Sequence, residues 1–430
     1  MRDGVAAPSP APRARSRRGA KAGGWLPYAL TVGAVWLGWQ VILQPVIQRA
    51  PPELAIRVAP GSPTVMRRAA EARQLAADRA GQTSEAIAQA NEDAGVLGRE
   101  ALARAPFNAA SLRVVGLSEA RAGQEAQADE LLTLAGNWSL RDDPSHAWLV
   151  DYRLRRGDYV SSFAHADTLA RRREALRPGI FRLFTTAATA DTQRALPVIA
   201  SLVAAKPPWR QDYLDSLYAS DEGLRVAINL AIVLQAGDAP LTNAELRQLY
   251  LYLVDRGLLD GARTVRERLN RPAMSTLVAN GSFDDASSPE PFQWRIAQGA
   301  GIVAEILNDD VRTGDPALRV SFDGYTEETI AEQLLFLSPG GYRLAFEARN
   351  ESGDASRNLR WSITCVPGDR VALSAPAAPA QADVWTVGAA QFTIPQDCGG
   401  QWLRLESVPE ERRSSTTAWF DRMAISRVVP

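Results

Sequence analysis

Side chains able to do chemistry are few in this chain, and they do not gather into a familiar catalytic spacing. His146 and His165 are the two histidines, 19 residues apart, and neither belongs to an HExxH or other metal-ligand pattern. No Walker A loop, GxSxG elbow or CxxC pair occurs. QGAG at 298–301 is a glycine fragment without the strand–helix context that phosphate binding needs. These absences assign no catalytic residue and lead us to expect a non-enzymatic protein. One aromatic residue stands where it could bind. In QWLRLES, Leu403 and Leu405 share one face of a strand, so Trp402, Arg404 and Glu406 share the other. A partly exposed indole can take the apolar face of a sugar ring while flanking charges take its hydroxyls, which makes these three the candidate ligand-binding residues. The competing expectation is a Trp402 covered by a loop or by the helical part of the chain. By the same alternation Tyr342, Leu344 and Phe346 read as core, as do Leu359, Trp361 and Ile363.

Cys365 and Cys398 are the only cysteines, an even count, and both fall in the C-terminal part of the chain. We expect them to form a disulfide if that part lies in an oxidising compartment. Buried free thiols packed as small hydrophobes are the alternative, and a two-cysteine metal site lacks histidine partners nearby.

The elements that must position these residues begin with a basic tip. Residues 1–24 carry Arg2, Arg13, Arg15, Arg17, Arg18 and Lys21 against Asp3, although the whole chain has a formal net charge of −1. Bulk charge therefore gives no reason to expect nucleic acid as a partner. The run WLPYALTVGAVWLGWQVIL, Trp25 to Leu43, carries no charge, and a helix of this length would cross a bilayer core of about 30 Å. We read 1–24 as a basic cytoplasmic tail, 25–46 as a single transmembrane helix and 47–63 as an extended Pro-rich spacer, with the bulk of the chain outside by the positive-inside rule. Arg greatly outnumbers Lys, of which only Lys21 and Lys206 occur, and Ala is abundant. We take this as bacterial coding bias, which places the protein in a bacterial inner membrane with its bulk in the periplasm.

From residue 64 the chain shows a fixed step. Ala94, Ala128 and Ser162 are 34 apart, as are Gly98, Leu132 and Ala166, and Ala101, Ala135 and Leu169. Small residues at such positions let paired helices approach closely. The period and segments such as GQEAQADELLTLA resemble the tetratricopeptide repeat. That resemblance implies an α-solenoid, which we extend over 64–272, with protein partners on a concave face where Arg113, Arg153 and Arg155 are candidates.

After Pro272 the helical period gives way to short alternating strands broken by Pro and Gly, the pattern of an antiparallel β-sandwich over 277–430. LVANGSFDD, PFQW, ALRVSF, LSPGGYRLAFEAR and AWFDRMAISRV resemble the galactose-binding-like jelly roll used by many carbohydrate-binding modules. The resemblance implies a structural calcium at Asp284 and Asp421, with Arg422 standing where a second acid is common, and no other cofactor. The expected whole is thus an α plus β multidomain protein: a transmembrane helix, a tetratricopeptide-like solenoid and a jelly roll. Its expected role is a membrane-anchored periplasmic scaffold for envelope or polysaccharide-assembly proteins. The alternative is a module that tethers polysaccharide through its sandwich, and a glycan-cleaving enzyme ranks below both.

Overall fold

The computed structural model describes residues 26–39, 41, 44–79, 83–269, 277–285, 290–311, 315–368, 370–378, 383–409 and 414–428. The basic tail, Trp25, Gln40, Ile42 and Leu43 lie outside them. The apolar run holds helix α1 (Leu26–Gly38), 13 residues long. Among the described residues no helix is long and apolar enough to cross a membrane. A separate helix α2 (Gln44–Arg49) follows. Pro45 sits in its first turn, where a missing N–H costs little.

The expected extended spacer is corrected. It contains helix α3 (Pro52–Val58), which opens on proline in its first turn. Its Ala55 is buried with Ile47 and Val65, and this apolar contact makes a helix preferable to an extended chain.

The molecule divides into two compact units, Met1–Tyr152 and Arg153–Pro430. The first unit pairs α4 (Pro63–Ala77) with α5 (Ser84–Arg104) and α6 (Ala109–Arg121) with α7 (Glu125–Trp138), and α8 (Asp143–Arg155) crosses the division. The step of 34 recurs in the helix bounds. α6 and α8 begin at 109 and 143, and α7 and the next helix, α9 (Tyr159–Arg172), begin at 125 and 159.

The residues singled out by the period face inward: Ala94, Ala128, Ser162, Ala101, Ala135, Leu132 and Ala166 are all fully buried. Gly116 shows why small residues are needed, because a Cβ there would stand 2.7 Å from Leu132 Cγ of α7. Arg113 of α6 is a packing residue in this unit. It bridges Glu71 and Asp142, and its side chain is 17% exposed.

In the second unit α9 is followed by α10 (Arg177–Ala190), α11 (Thr192–Ala204), α12 (Arg210–Leu217), α13 (Asp221–Gln235), α14 (Asn243–Asp255) and α15 (Leu259–Arg268). Asp191 caps α11 through the Arg194 N–H. Ser220 caps α13, because its hydroxyl accepts from the Gly223 N–H. Thr242 and Glu245 form a capping box on α14. Phe163, Phe184, Trp209 and Tyr213 form the aromatic centre of these helices, each fully buried.

The sandwich comprises β1 (Arg295–Ile296), β2 (Ile302–Asn308), β3 (Pro316–Phe322), β4 (Thr329–Leu335), β5 (Gly340–Ser352), a short α16 (Ala355–Asn358), β6 (Leu359–Val366), β7 (Val371–Pro376), β8 (Thr386–Ile394), β9 (Gly400–Ser407) and β10 (Thr416–Arg427). Two five-stranded antiparallel sheets, β1-β4-β9-β6-β7 and β2-β3-β10-β5-β8, face each other. Between them lies a core that includes Trp361, Phe322, Phe420, Leu344 and Leu405. The opening LVANGSFDD is turn, with Asn280 and Phe283 at positive φ. β2 and β7 carry weak strand signals in the sequence. Most of β2 is exposed beyond Ala304, so its alternation fades, and β7 sits in Pro/Ala-rich sequence.

Candidate functional site

The outer face of the sheet β1-β4-β9-β6-β7 carries the sequence-predicted ligand residues. Leu403 and Leu405 of β9 are fully buried in the core, so Trp402, Arg404 and Glu406 project outward. Register sets their neighbours. Trp402 lies between Leu334 of β4 and Thr364 of β6, Arg404 between Glu332 and Ser362, and Glu406 between Thr329 and Arg360.

Opposite charges meet across the strands. Arg404 Nε donates to Glu332 Oε2 at 3.0 Å, and its guanidinium lies 5.6 Å from the centre of the Trp402 ring. Arg295 of β1 also pairs with Glu332. Arg360 Nε donates to Glu406 Oε2 at 2.9 Å and its Nη2 to Glu327 Oε1 at 2.9 Å. The Glu406 carboxylate, helped by Glu327, holds the Arg360 guanidinium above its ordinary pKa despite some burial. Trp402 itself is partly exposed. Cross-strand pairing thus gathers all three residues into one face, but Arg404 and Glu406 arrive already paired. That pairing was not legible in QWLRLES alone, because the partners come from β4 and β6.

One end of this face is covered. Leu334 points outward beside Trp402 yet is 1% exposed. Its N–H donates to Pro291 O, which runs along β4. Phe292 packs on Phe336, which continues the outward row of β4, and on Tyr250 of α14. From α15, Arg263 Nη2 donates to Gly399 O at 3.1 Å, and its guanidinium lies 5.0 Å from the Phe336 ring. A Cβ on Gly400 would meet Leu259 and Phe336, each at 3.4 Å. Arg266 lies 4.5 Å over Phe292, and burial lowers its pKa. Trp402 is thus partly exposed, while α15 reaches the neighbouring Gly399 and Gly400.

The expected calcium pair fares differently. Asp284 is exposed in the opening turn, whereas Asp421 is buried in β10 and accepts from the Arg422 N–H. Among the described residues no group of three His, Cys, Asp or Glu side chains could hold a metal. The cysteines do meet: Cys365 at the end of β6 and Cys398 before β9 form a disulfide, with Cα atoms 5.2 Å apart.

A second polar cluster, not picked out from the sequence, lies on the outer face of the other sheet. Trp419 of β10 sits between Arg319 and Arg349, at 5.8 and 5.2 Å, and its Nε1 donates to Glu351. The Arg319 hydrogen bond, with the Trp419 one, outweighs burial and holds the Glu351 carboxyl below its ordinary pKa. Arg349 continues to Asp309 and Asp383. With Trp419 at 7% exposure, this is a closed network that braces the sheet. The alternation of AWFDR, which sets Trp419 opposite Phe420, is the one signal that could have marked it.

No protein-family model matches the chain, and no curated protein matches it. Solved structures similar to the sandwich include "CBM4 structure and function", at 19% identity over 35% of this chain and 99% of that one, with a TM-score of 0.27. Another is TmCBM61 in complex with β-1,4-galactotriose, at 16% identity over 36% of this chain and 99% of that one, with a TM-score of 0.24. A family 16 carbohydrate binding module matches at 15% identity over 35% and 99%, with a TM-score of 0.26. At such scores these similarities carry no argument about what this chain binds.

Proposed function

We propose that the protein is a non-enzymatic glycan-binding protein, anchored through its N-terminal apolar run, whose helical part presents the sandwich. The observation that carries this reading is the outward Trp402, partly exposed with the Arg404 guanidinium over one side of its ring, on a face rich in hydrogen-bonding groups. A partly dry aromatic surface beside fixed polar groups suits a sugar. Arg295, Arg360 and Arg404 are matched by Glu327, Glu332 and Glu406, so the balance of charge favours a neutral glycan. The Cys365–Cys398 bond fits an oxidising compartment such as the periplasm. The test is retention of the full chain on immobilised neutral polysaccharides. Trp402→Ala should weaken retention about tenfold or more while leaving the melting temperature nearly unchanged. Failure of the parent chain to bind any of them would sink the reading.

A second reading, a scaffold that holds protein partners through the helices, rests on a different observation. Phe107 after α5, Trp138 at the end of α7 and nearby Leu140 are 89%, 44% and 62% exposed, and the Phe107 and Trp138 rings are 5.8 Å apart. Clustered exposed apolar side chains of this kind mark contact surfaces.

A further inference from the structure

We infer that the Trp402 site takes the end of a glycan chain and not its interior; this rests on the glycan reading above. The argument is the corner in which Trp402 stands. Across the strands, its neighbour on β4 is Leu334, about 5 Å away by strand spacing. Leu334 is sealed at 1% exposure beside the Pro291–Phe292 segment, so a sugar stacked on Trp402 has no room to continue in that direction.

Along β9, the next outward position is Gly400, about 7 Å away by strand rise. There Leu259 of α15 lies within 3.4 Å of where a Cβ would stand, and Arg263 holds Gly399 O. The chain is stopped on this side too. Among the described residues the remaining two sides carry partly exposed side chains. Thr364 of β6, with its neighbour Val371 of β7 at 57% exposure, continues the row of Trp402. Arg404 and Glu406 continue along β9 toward the partly exposed Arg360. These exits leave Trp402 at about a right angle to each other, so a linear chain cannot enter by one and leave opposite. A terminal sugar can stack on the ring while the rest of its chain leaves by either of these sides.

An open sheet face would bind a polymer anywhere along its length. The walls here come from α15 and the segment before β1, so the restriction belongs to the joined helical and sandwich parts and not to the sandwich alone.

The experiment is calorimetric titration of the full chain with cello-, xylo-, galacto- and malto-oligosaccharide ladders and the matching soluble polymers. For the series that binds, we expect one protein per glycan chain at every length, so that binding sites per gram of sugar fall in proportion as chains lengthen. A number of proteins per chain that grows with length would overturn chain-end binding and leave the glycan reading standing. No heat and no change in tryptophan fluorescence with any series would overturn both. Trp402→Ala separates the intended site from any other, since under the inference it must abolish the one-per-chain signal.

Discussion

Arg210 and Glu245 show how a single pair can hold distant elements. Arg210 opens α12 and donates to both Glu245 oxygens at 2.7 and 2.9 Å, while Glu245 also accepts from the Thr242 N–H at the start of α14. Burial pushes the Glu245 carboxyl up, but Arg210 and Thr242 outweigh it and leave the pKa lowered. A lowered carboxyl pKa contributes stability above its unfolded value, and that contribution is lost as pH falls through the folded value. Glu245→Gln should therefore flatten the loss of stability on acidification below about pH 4.5. Arg210→Ala, which leaves a buried carboxylate unpaired, should cost about 3 kcal/mol at neutral pH. Urea unfolding followed by circular dichroism across pH checks both. An acid limb unchanged in the Gln variant would remove Glu245 from the account. The capping box at Thr242 was readable from the TNAE spacing. The Arg210 partnership was not, because 35 residues separate it from Glu245.

Helix packing makes opposite demands on two glycines. Gly116 lies where α6 meets α7, and a Cβ there would come within 2.8 Å of two Leu132 carbons. Leu132 is fully buried and has little freedom to retreat. Gly116→Ala should destabilise by about 1–2 kcal/mol, since overpacking exceeds the gain in helix propensity. Gly179 in α10 has nothing within 4 Å of its Cβ position. Gly179→Ala should stabilise by about 0.5–1 kcal/mol. Thermal melts of both variants decide the matter, and a stabilising Gly116→Ala would mean that the helices are not held at this distance. The step of 34 revealed which residues turn inward because close packing imposes small side chains at a fixed phase. It fades after α9, where Phe181, Trp209 and Tyr213 fill the interior instead. Large aromatics can interlock in many ways and leave no period behind.

At the scale of the whole molecule, the Cys365–Cys398 bond closes a separation of 33 residues and ties β6 to the turn that meets α15. Chain-entropy reasoning gives about 3–4 kcal/mol for such a loop. Cys365→Ser with Cys398→Ser should lower the stability of the sandwich by that order in denaturant unfolding. Thiol labelling of the protein taken directly from cells should find both cysteines blocked until a reductant is added. Labelling without reductant would refute both the bond in the cell and the oxidising location proposed from it. Removing the bond should also loosen the Cys398–Gly400 turn, on which Leu259 and Arg263 rest.

The sequence by itself determined what depends on neighbours along the chain. Caps at Asp191 and Thr242, the inward phase of Ala94, Ala128 and Ser162, the core faces of β5 and β6 and the outward set Trp402, Arg404 and Glu406 all follow from local period and hydrogen-bonding chemistry. The parity of two cysteines likewise anticipated their bond. Tertiary structure alone decided what depends on partners far along the chain. It folded the Pro-rich segment around Ala55 into α3, and it joined the later helices and the sandwich in one compact unit. It paired Arg404 and Glu406 with Glu332 and Arg360, and it brought α15 beside Trp402 through Phe336 and Gly400. Alternation specifies which face a side chain takes. Whether that face meets water or a helix is set by burial of apolar surface between segments that are remote in sequence, and no local pattern records it.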